Sequence, residues 1–249
     1  MRNRLVLITV AIITLIPLSV FATPITGELA FTGNVTATLT SLNFTCATGQ
    51  TCSSGQGSFT IDGTSSTGTF AGLGGQTGQI MDINNTTTPP GQTVSLSNFL
   101  TLPGGVSFTL TQLDLGTGGA CPPAMGTTCT PTSPLLVSPS DPLGKTGTVF
   151  EDTATGSTAE FSVNADAFLS SASGQTTAYT GTFSATFDGM STAQVLAKLS
   201  SAGSISTPFS ATFTPVSTTS VPEPGTASLF VMAGLLVLAG FGFRRFSHC

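Results

Sequence analysis

The 249-residue chain contains no tryptophan, one tyrosine and one histidine, and only 7% of its residues are charged. Each scarcity excludes something. His248 lies one residue from the C-terminus, so the rest of the chain has no imidazole. Ser-His-Asp and Cys-His nucleophiles, which need one within hydrogen-bond reach, are therefore excluded there. A Ser-Lys pair would have to use Lys145 or Lys198. Lys198 stands beside apolar residues on an expected helix, where a lysine lays its stem along the surface. Gly144-Lys145-Thr146 imitates the end of a phosphate-binding loop, yet Pro139 occupies the position where such a loop requires glycine. Basic residues are scarce too. Between Thr23 and Ser220, Lys145 and Lys198 face ten carboxylates, a net charge of −8. Nucleic acid is not an expected partner, because gripping phosphates takes clustered Lys and Arg.

What the chain has instead is alternation. Val35-Thr36-Ala37-Thr38-Leu39-Thr40 puts apolar residues on one side and threonines on the other. Ala159, Phe161, Val163, Ala165, Ala167 and Leu169 share one face, against Glu160, Ser162, Asn164 and Asp166 on the other. The segments holding Phe183 and Phe209 repeat the pattern, and shorter strands are expected around Phe59, Phe70, Ile80, Leu96, Phe108 and Val149. One helix stands out. Ser191 with Gln194 forms a capping box, Val195, Leu196 and Leu199 make a stripe, and Gly203 is a stop signal. About ten strands between Gly, Asn, Asp and Pro turns predict an all-β fold. The expected form is an antiparallel β-sandwich or jelly-roll-like body with one short helix.

Four of the five cysteines lie in this body: Cys46, Cys52, Cys121 and Cys129. In an oxidising compartment they are disulfide candidates. Three pairings exist, and the two local ones are preferred because each encloses a Gly-, Ser-, Thr- or Pro-rich loop. Neither spacing suits zinc, and no metal site is expected. Calcium is the one cofactor whose ligand type the turns supply, at Asp62-Gly63, at Asp82 with Asn84 and Asn85, and at Asp188-Gly189. None forms an EF-hand loop, and Asp and Asn make such turns without a metal. No catalytic residue is assigned. Glu151, Asp152, Glu160 and Asp166 could in principle form a glycosidase pair. Without aromatic platforms they read as acids that keep a nearly uncharged chain soluble.

The two ends differ from the middle. Arg2 and Arg4 precede an apolar stretch from Leu5 to Leu18, and Val20-Phe21-Ala22 offers a small-x-small site. Residues 1–22 thus read as a signal peptide, a helix removed by signal peptidase. At the other end, Val221-Pro222-Glu223-Pro224 precedes an apolar run from Ala227 to Phe243, closed by Arg244 and Arg245. Seventeen helical residues rise about 26 Å, near the roughly 30 Å of a hydrocarbon core. A transmembrane helix is expected at 227–243, with its arginines cytoplasmic and the body beyond the inner membrane.

That ending resembles the PEP-CTERM sorting signal of Gram-negative envelope proteins, in which a Pro-Glu-Pro motif, one membrane helix and a basic tail are presented to an exosortase. The resemblance covers about the last thirty residues. It implies cleavage near Pro222-Glu223-Pro224 and release or attachment at the cell surface, in organisms that make exopolysaccharide and biofilm matrix. The expected organisation is a signal peptide at 1–22, an exported all-β domain at 23–213, a Ser/Thr/Pro linker at 214–220 and the sorting signal at 221–249. The expected function is a cell-surface or matrix protein of structural or adhesive type, without enzymatic activity. An exopolysaccharide-binding module is the alternative, and a carboxylate-dependent hydrolase the third reading.

Overall fold

The computed structural model describes residues 24–131, 147–170 and 176–216. By internal contacts the chain divides into Met1–Val216 and Ser217–Cys249. The second unit lies outside the described residues, as do the expected signal peptide, sorting motif, membrane helix and basic tail. No helix among the described residues is long and apolar enough to cross a membrane.

The described residues form twelve strands and one α-helix. In chain order the strands are β1 (Leu29–Thr38), β2 (Ser41–Phe44), β3 (Gln56–Ile61), β4 (Thr77–Met81), β5 (Ile83–Asn84) and β6 (Thr93–Thr101). Then come β7 (Val106–Leu113), β8 (Thr128–Cys129), β9 (Val149–Thr153), β10 (Gly156–Leu169), β11 (Thr176–Asp188) and β12 (Ser204–Pro215). The helix, α1 (Thr192–Ala202), joins β11 to β12. The all-β antiparallel body with one short helix that the alternation predicts is present. Its sheet runs β11-β12-β1-β3-β4-β6-β7-β10, and β10 pairs again with β11. Eight antiparallel strands thus close into a barrel. The two layers expected of a sandwich are here the opposite walls of one continuous sheet. Closure removes the long edges at which open sheets recruit other chains.

Two pairings make the closure. β10 and β11 are in register from Gly156↔Asp188 to Phe168↔Thr176. β1, the first described strand, pairs with β12, the last, from Leu29↔Phe213 to Thr38↔Ser204. The long β10 changes partner along its other edge. Val163 to Leu169 pair with β7, Gly156 to Glu160 pair with β9, and a bulge lies between Asn164 and Ala165. Outside the ring, β2 pairs with β1 and β5, and β8 with β9.

Phenylalanine fills the barrel. Phe31 lies 4.2 Å from Phe59, centroid to centroid, and 5.9 Å from both Phe183 and Phe213. Phe108 continues the cluster, 5.4 Å from Phe213 and 5.3 Å from Tyr179. Rings of this size need room on the facing strands, and glycine supplies it. Gly33 is directly opposite Phe209 and Phe59, Gly181 opposite Phe213, and Gly78 opposite Phe59. A β-carbon would stand 2.7 Å from the Phe209 ring at Gly33 and 2.5 Å from the Phe213 ring at Gly181. Ring-over-glycine pairs let a small barrel curve without leaving a void.

Phe70 departs from the sequence expectation. It sits in a 3-10 helix, Gly68–Leu73, rather than a strand, and is fully buried. Gly68, Gly72, Gly74 and Gly75 interrupt the alternation that a strand there would need. The helix α1 forms as expected. Ser191 Oγ accepts from Gln194 N, Gln194 Oε1 accepts from Ser191 N, and Gly203 ends the helix at φ +76°. Val195 and Leu199 are completely buried against the barrel. Tyr179, 1% exposed, donates from its hydroxyl to Gly27 O at 3.1 Å. Burial pushes its pKa up to about 12.

The glycine argument predicts that Gly181→Ala destabilises the barrel by roughly 1–3 kcal/mol, the usual cost of overpacking. In a Phe213→Leu background the penalty should shrink, since the ring that the methyl meets is gone. Urea unfolding of the four proteins of this cycle measures the coupling, and strict additivity would refute the ring-over-glycine account.

Candidate functional site

The carboxylates are the first place to look for chemistry, and several act as struts. Asp62 Oδ1 accepts from Thr64 N at 2.8 Å and Thr64 Oγ1 at 2.7 Å, and Oδ2 accepts from Ser65 Oγ at 2.9 Å. Those Thr64 and Ser65 bonds lower its pKa. Asp82 reaches across from the β4–β5 junction to accept Phe44 N at 2.7 Å. Asp114 accepts from Asn164 Nδ2 at 2.9 Å. Burial raises the pKa of both Asp82 and Asp114, against their hydrogen bonds. Asp152 Oδ1 accepts Thr192 N at 2.7 Å, so a carboxylate caps the N-terminus of α1.

The positions expected to favour calcium are turn residues. Asn84 Oδ1 accepts Thr86 N and Thr87 N, both at 2.9 Å, and Asp188 ends the β10–β11 pairing opposite Gly156. Among the described residues there is no group of three His, Cys, Asp or Glu that could hold a metal ion. The acids considered for hydrolysis are spread out. Glu160 and Asp166 share a face of β10 six residues apart, about 20 Å at strand rise. That exceeds the roughly 5–9.5 Å of glycosidase pairs. Glu151 is opposite Thr158 and so diagonal to Glu160, but neither lines any of the three concavities below. Lys198 is exposed on α1, and Lys145 lies outside the described residues.

The cysteines form two disulfides, Cys46–Cys52 and Cys121–Cys129, with Cα separations of 6.0 and 5.1 Å. Cys129 is fully buried in β8, so the second bridge fastens its loop to the core. The first encloses an exposed loop beside β3, whose Ala47 N donates to Ser58 Oγ at 2.8 Å. Cys249 lies outside the described residues.

Three concavities are candidate binding places. An apolar cavity of about 40 Å³ lies among Phe44, Phe150, Phe183, Val195, Leu199 and Ile205, between α1 and the barrel. Ligand pockets start at roughly 300 Å³, so this one is a packing gap. A recess of about 410 Å³ adjoins Asp152, Met190 and the exposed Met125. The largest, about 510 Å³, crosses the outside of β11, β12, β1 and β3 and is walled by Thr45 and Ala47. It lies where sequence reasoning assigned no site. The alternating threonines were its visible signal, but which of them become neighbours depends on register between strands far apart in sequence.

The site best defined in the sequence is linear and lies at 220–245, where the residues match the family model of the PEP-CTERM protein-sorting motif. The match takes in Val221, Pro222, Glu223 and Pro224, the apolar run from 227 and Arg244 and Arg245. No curated protein and no solved structure matches the chain. The chain thus carries a PEP-CTERM sorting signal, which implies export, a membrane-anchored intermediate and processing by an exosortase.

The carboxylate struts give a pH prediction. A raised folded-state pKa favours the protonated folded form. The contribution of Asp82 and Asp114 is therefore fully present below the ordinary carboxylate value of 3.8 and is lost as pH rises through the raised value. Asp62, its pKa lowered, acts in the opposite sense. Asp82→Asn, which keeps an acceptor for Phe44 N, should equal or exceed the parent in stability near pH 7. That advantage should vanish near pH 3. Asp82→Ala should cost about 1–3 kcal/mol by leaving the Phe44 amide unpaired. Chemical unfolding across that range measures both.

Proposed function

We propose that this protein is a non-catalytic structural or adhesive component of the cell surface or extracellular matrix. In this reading exosortase acts near Pro222-Glu223-Pro224 once the body has crossed the inner membrane. The observation that carries the reading is the sorting signal at 220–245, a few residues along the chain after a closed barrel that carries two disulfides. A sorting signal concerns delivery, and what is delivered here is a rigid body with few edges. Its exported part lacks histidine, and several of its carboxylates are spent on turns and strand junctions.

The reading includes a division of labour among the terminal segments. Signal peptidase cleaves after Ala22, leaving Thr23 first. The run from 227 to 243 holds the intermediate in the inner membrane, with Arg244 and Arg245 in the cytosol.

Replacing Pro222, Glu223 and Pro224 together with alanine should leave full-length chain in the inner-membrane fraction. The parent should reach the surface shortened at its C-terminus. Intact-mass spectrometry of fractionated cells reads both termini and the oxidation state of the cysteines. Equal processing of the two proteins would dismiss the sorting assignment. Deleting the body while keeping both terminal signals should reduce cell–surface or cell–cell attachment, and undiminished attachment would dismiss the adhesive role.

A further inference from the structure

The geometry points to the outer concavity of about 510 Å³ as a binding groove for an uncharged, hydroxyl-rich polysaccharide chain. Register places a row of hydroxyl residues across five strands: Ser184 opposite Ser210, Ser210 opposite Thr32, Thr32 opposite Thr60, and Thr60 opposite Thr77. The part of the row that lines the groove, Ser184 to Thr60, spans three inter-strand spacings, about 14 Å, the scale of a short oligosaccharide rather than one sugar.

Some hydroxyls on this sheet are spent on the protein itself. Thr36 bonds Ser206 at 2.7 Å, Thr38 bonds Ser41 at 2.8 Å, and Thr207 donates to Thr186 O at 2.9 Å. Along the row, Ser184, Ser210, Thr32 and Thr60 have no side-chain hydrogen bond to another described residue. Each therefore offers a donor and an acceptor to a ligand. Asn34 and Pro208, directly paired, continue the lining.

Charge narrows the ligand class. No side chain lining the groove is ionisable, so phosphates, sulfates and uronates meet no counter-charge. The surrounding body, net −8 between Thr23 and Ser220, repels polyanions. A neutral polyol chain meets neither obstacle. The groove is also built rather than incidental. One wall is the loop closed by Cys46–Cys52, tied down by the Ala47 bond to Ser58, so its shape is set before any ligand arrives and little ordering cost attends binding. This inference rests on the adhesive reading only in placing the body outside the inner membrane, and it names what the body would adhere to.

The test is co-sedimentation of the mature protein, purified from the cells as processed, with microcrystalline cellulose, cross-linked dextran and cross-linked pectate. Binding is expected to a neutral polymer, with little dependence on salt, and not to pectate. The variant Thr32→Val/Thr60→Val/Ser210→Ala, which keeps β-branched residues at two exposed positions, should bind at least about tenfold more weakly. Thr180→Val/Thr214→Val, a paired couple on the same strands beyond the groove, should bind like the parent. Circular dichroism and thermal melting check that both variants fold. Binding to no neutral polymer, binding to pectate alone, or equal loss in both variants would overturn the proposal. So would concentration-dependent self-association abolished by the groove variant, which would assign the surface to a second copy of the chain. Cellular attachment is scored separately: its persistence without glycan binding sinks the groove alone, whereas its loss on deleting the body is what the adhesive reading requires.

Discussion

The antiparallel seam between β1 and β12 is the constraint on which the rest of the structure depends. Ten residue pairs join the first described strand to the last. They turn an open, twisted sheet into a barrel with a protected interior. Without the seam, the ring cluster around Phe31, Phe183, Phe209 and Phe213 would face water along one side, and β1 and β12 would present long unpaired edges. Joining strands so far apart in sequence carries a loop-closure cost that the pairing and ring packing must offset. The seam also sets an order of events. β12 ends at Pro215, a few residues before the sorting motif, so the barrel closes only when nearly all of the body has been delivered.

Inside the barrel, shape is managed by an exchange of volume between neighbouring strands. Phenylalanine on one strand lies over glycine on the next, at Gly33, Gly78 and Gly181. Outside, the same strands carry Ser and Thr, whose hydroxyls keep the surface wet without charge. A chain with 7% charged residues has few carboxylates to spare. Asp82, Asp114 and Asp152 tie backbone or amide groups of one element to another, and Asp62 organises its own turn. Both disulfides lie outside the ring of barrel strands: Cys46–Cys52 closes an exposed loop, and Cys121–Cys129 ties a loop to β8, where Cys129 is buried.

Much of this was legible in one dimension because its causes are local. Period-two alternation marks a strand wherever one face is buried, and β10 and β12 follow it closely. The α1 helix was readable from Ser191, Gln194 and Gly203, since caps act within one turn. Phe70 misled, because an isolated buried ring among glycines carries no periodicity, and its 3-10 turn is held by contacts from elsewhere in the fold.

The sequence by itself determined most of the strands, the capped helix and the sorting signal, and it favoured the local cysteine pairing. Each depends on residues close together along the chain, and a linear signal is read by its partner as a linear segment. Only the tertiary structure decided that the sheet closes as a barrel rather than two layers. It also decided which hydroxyls of distant strands line up from Ser184 to Thr77. Alternation says which face a residue occupies, but register between strands is set by packing across the whole core, and no single strand contains that information.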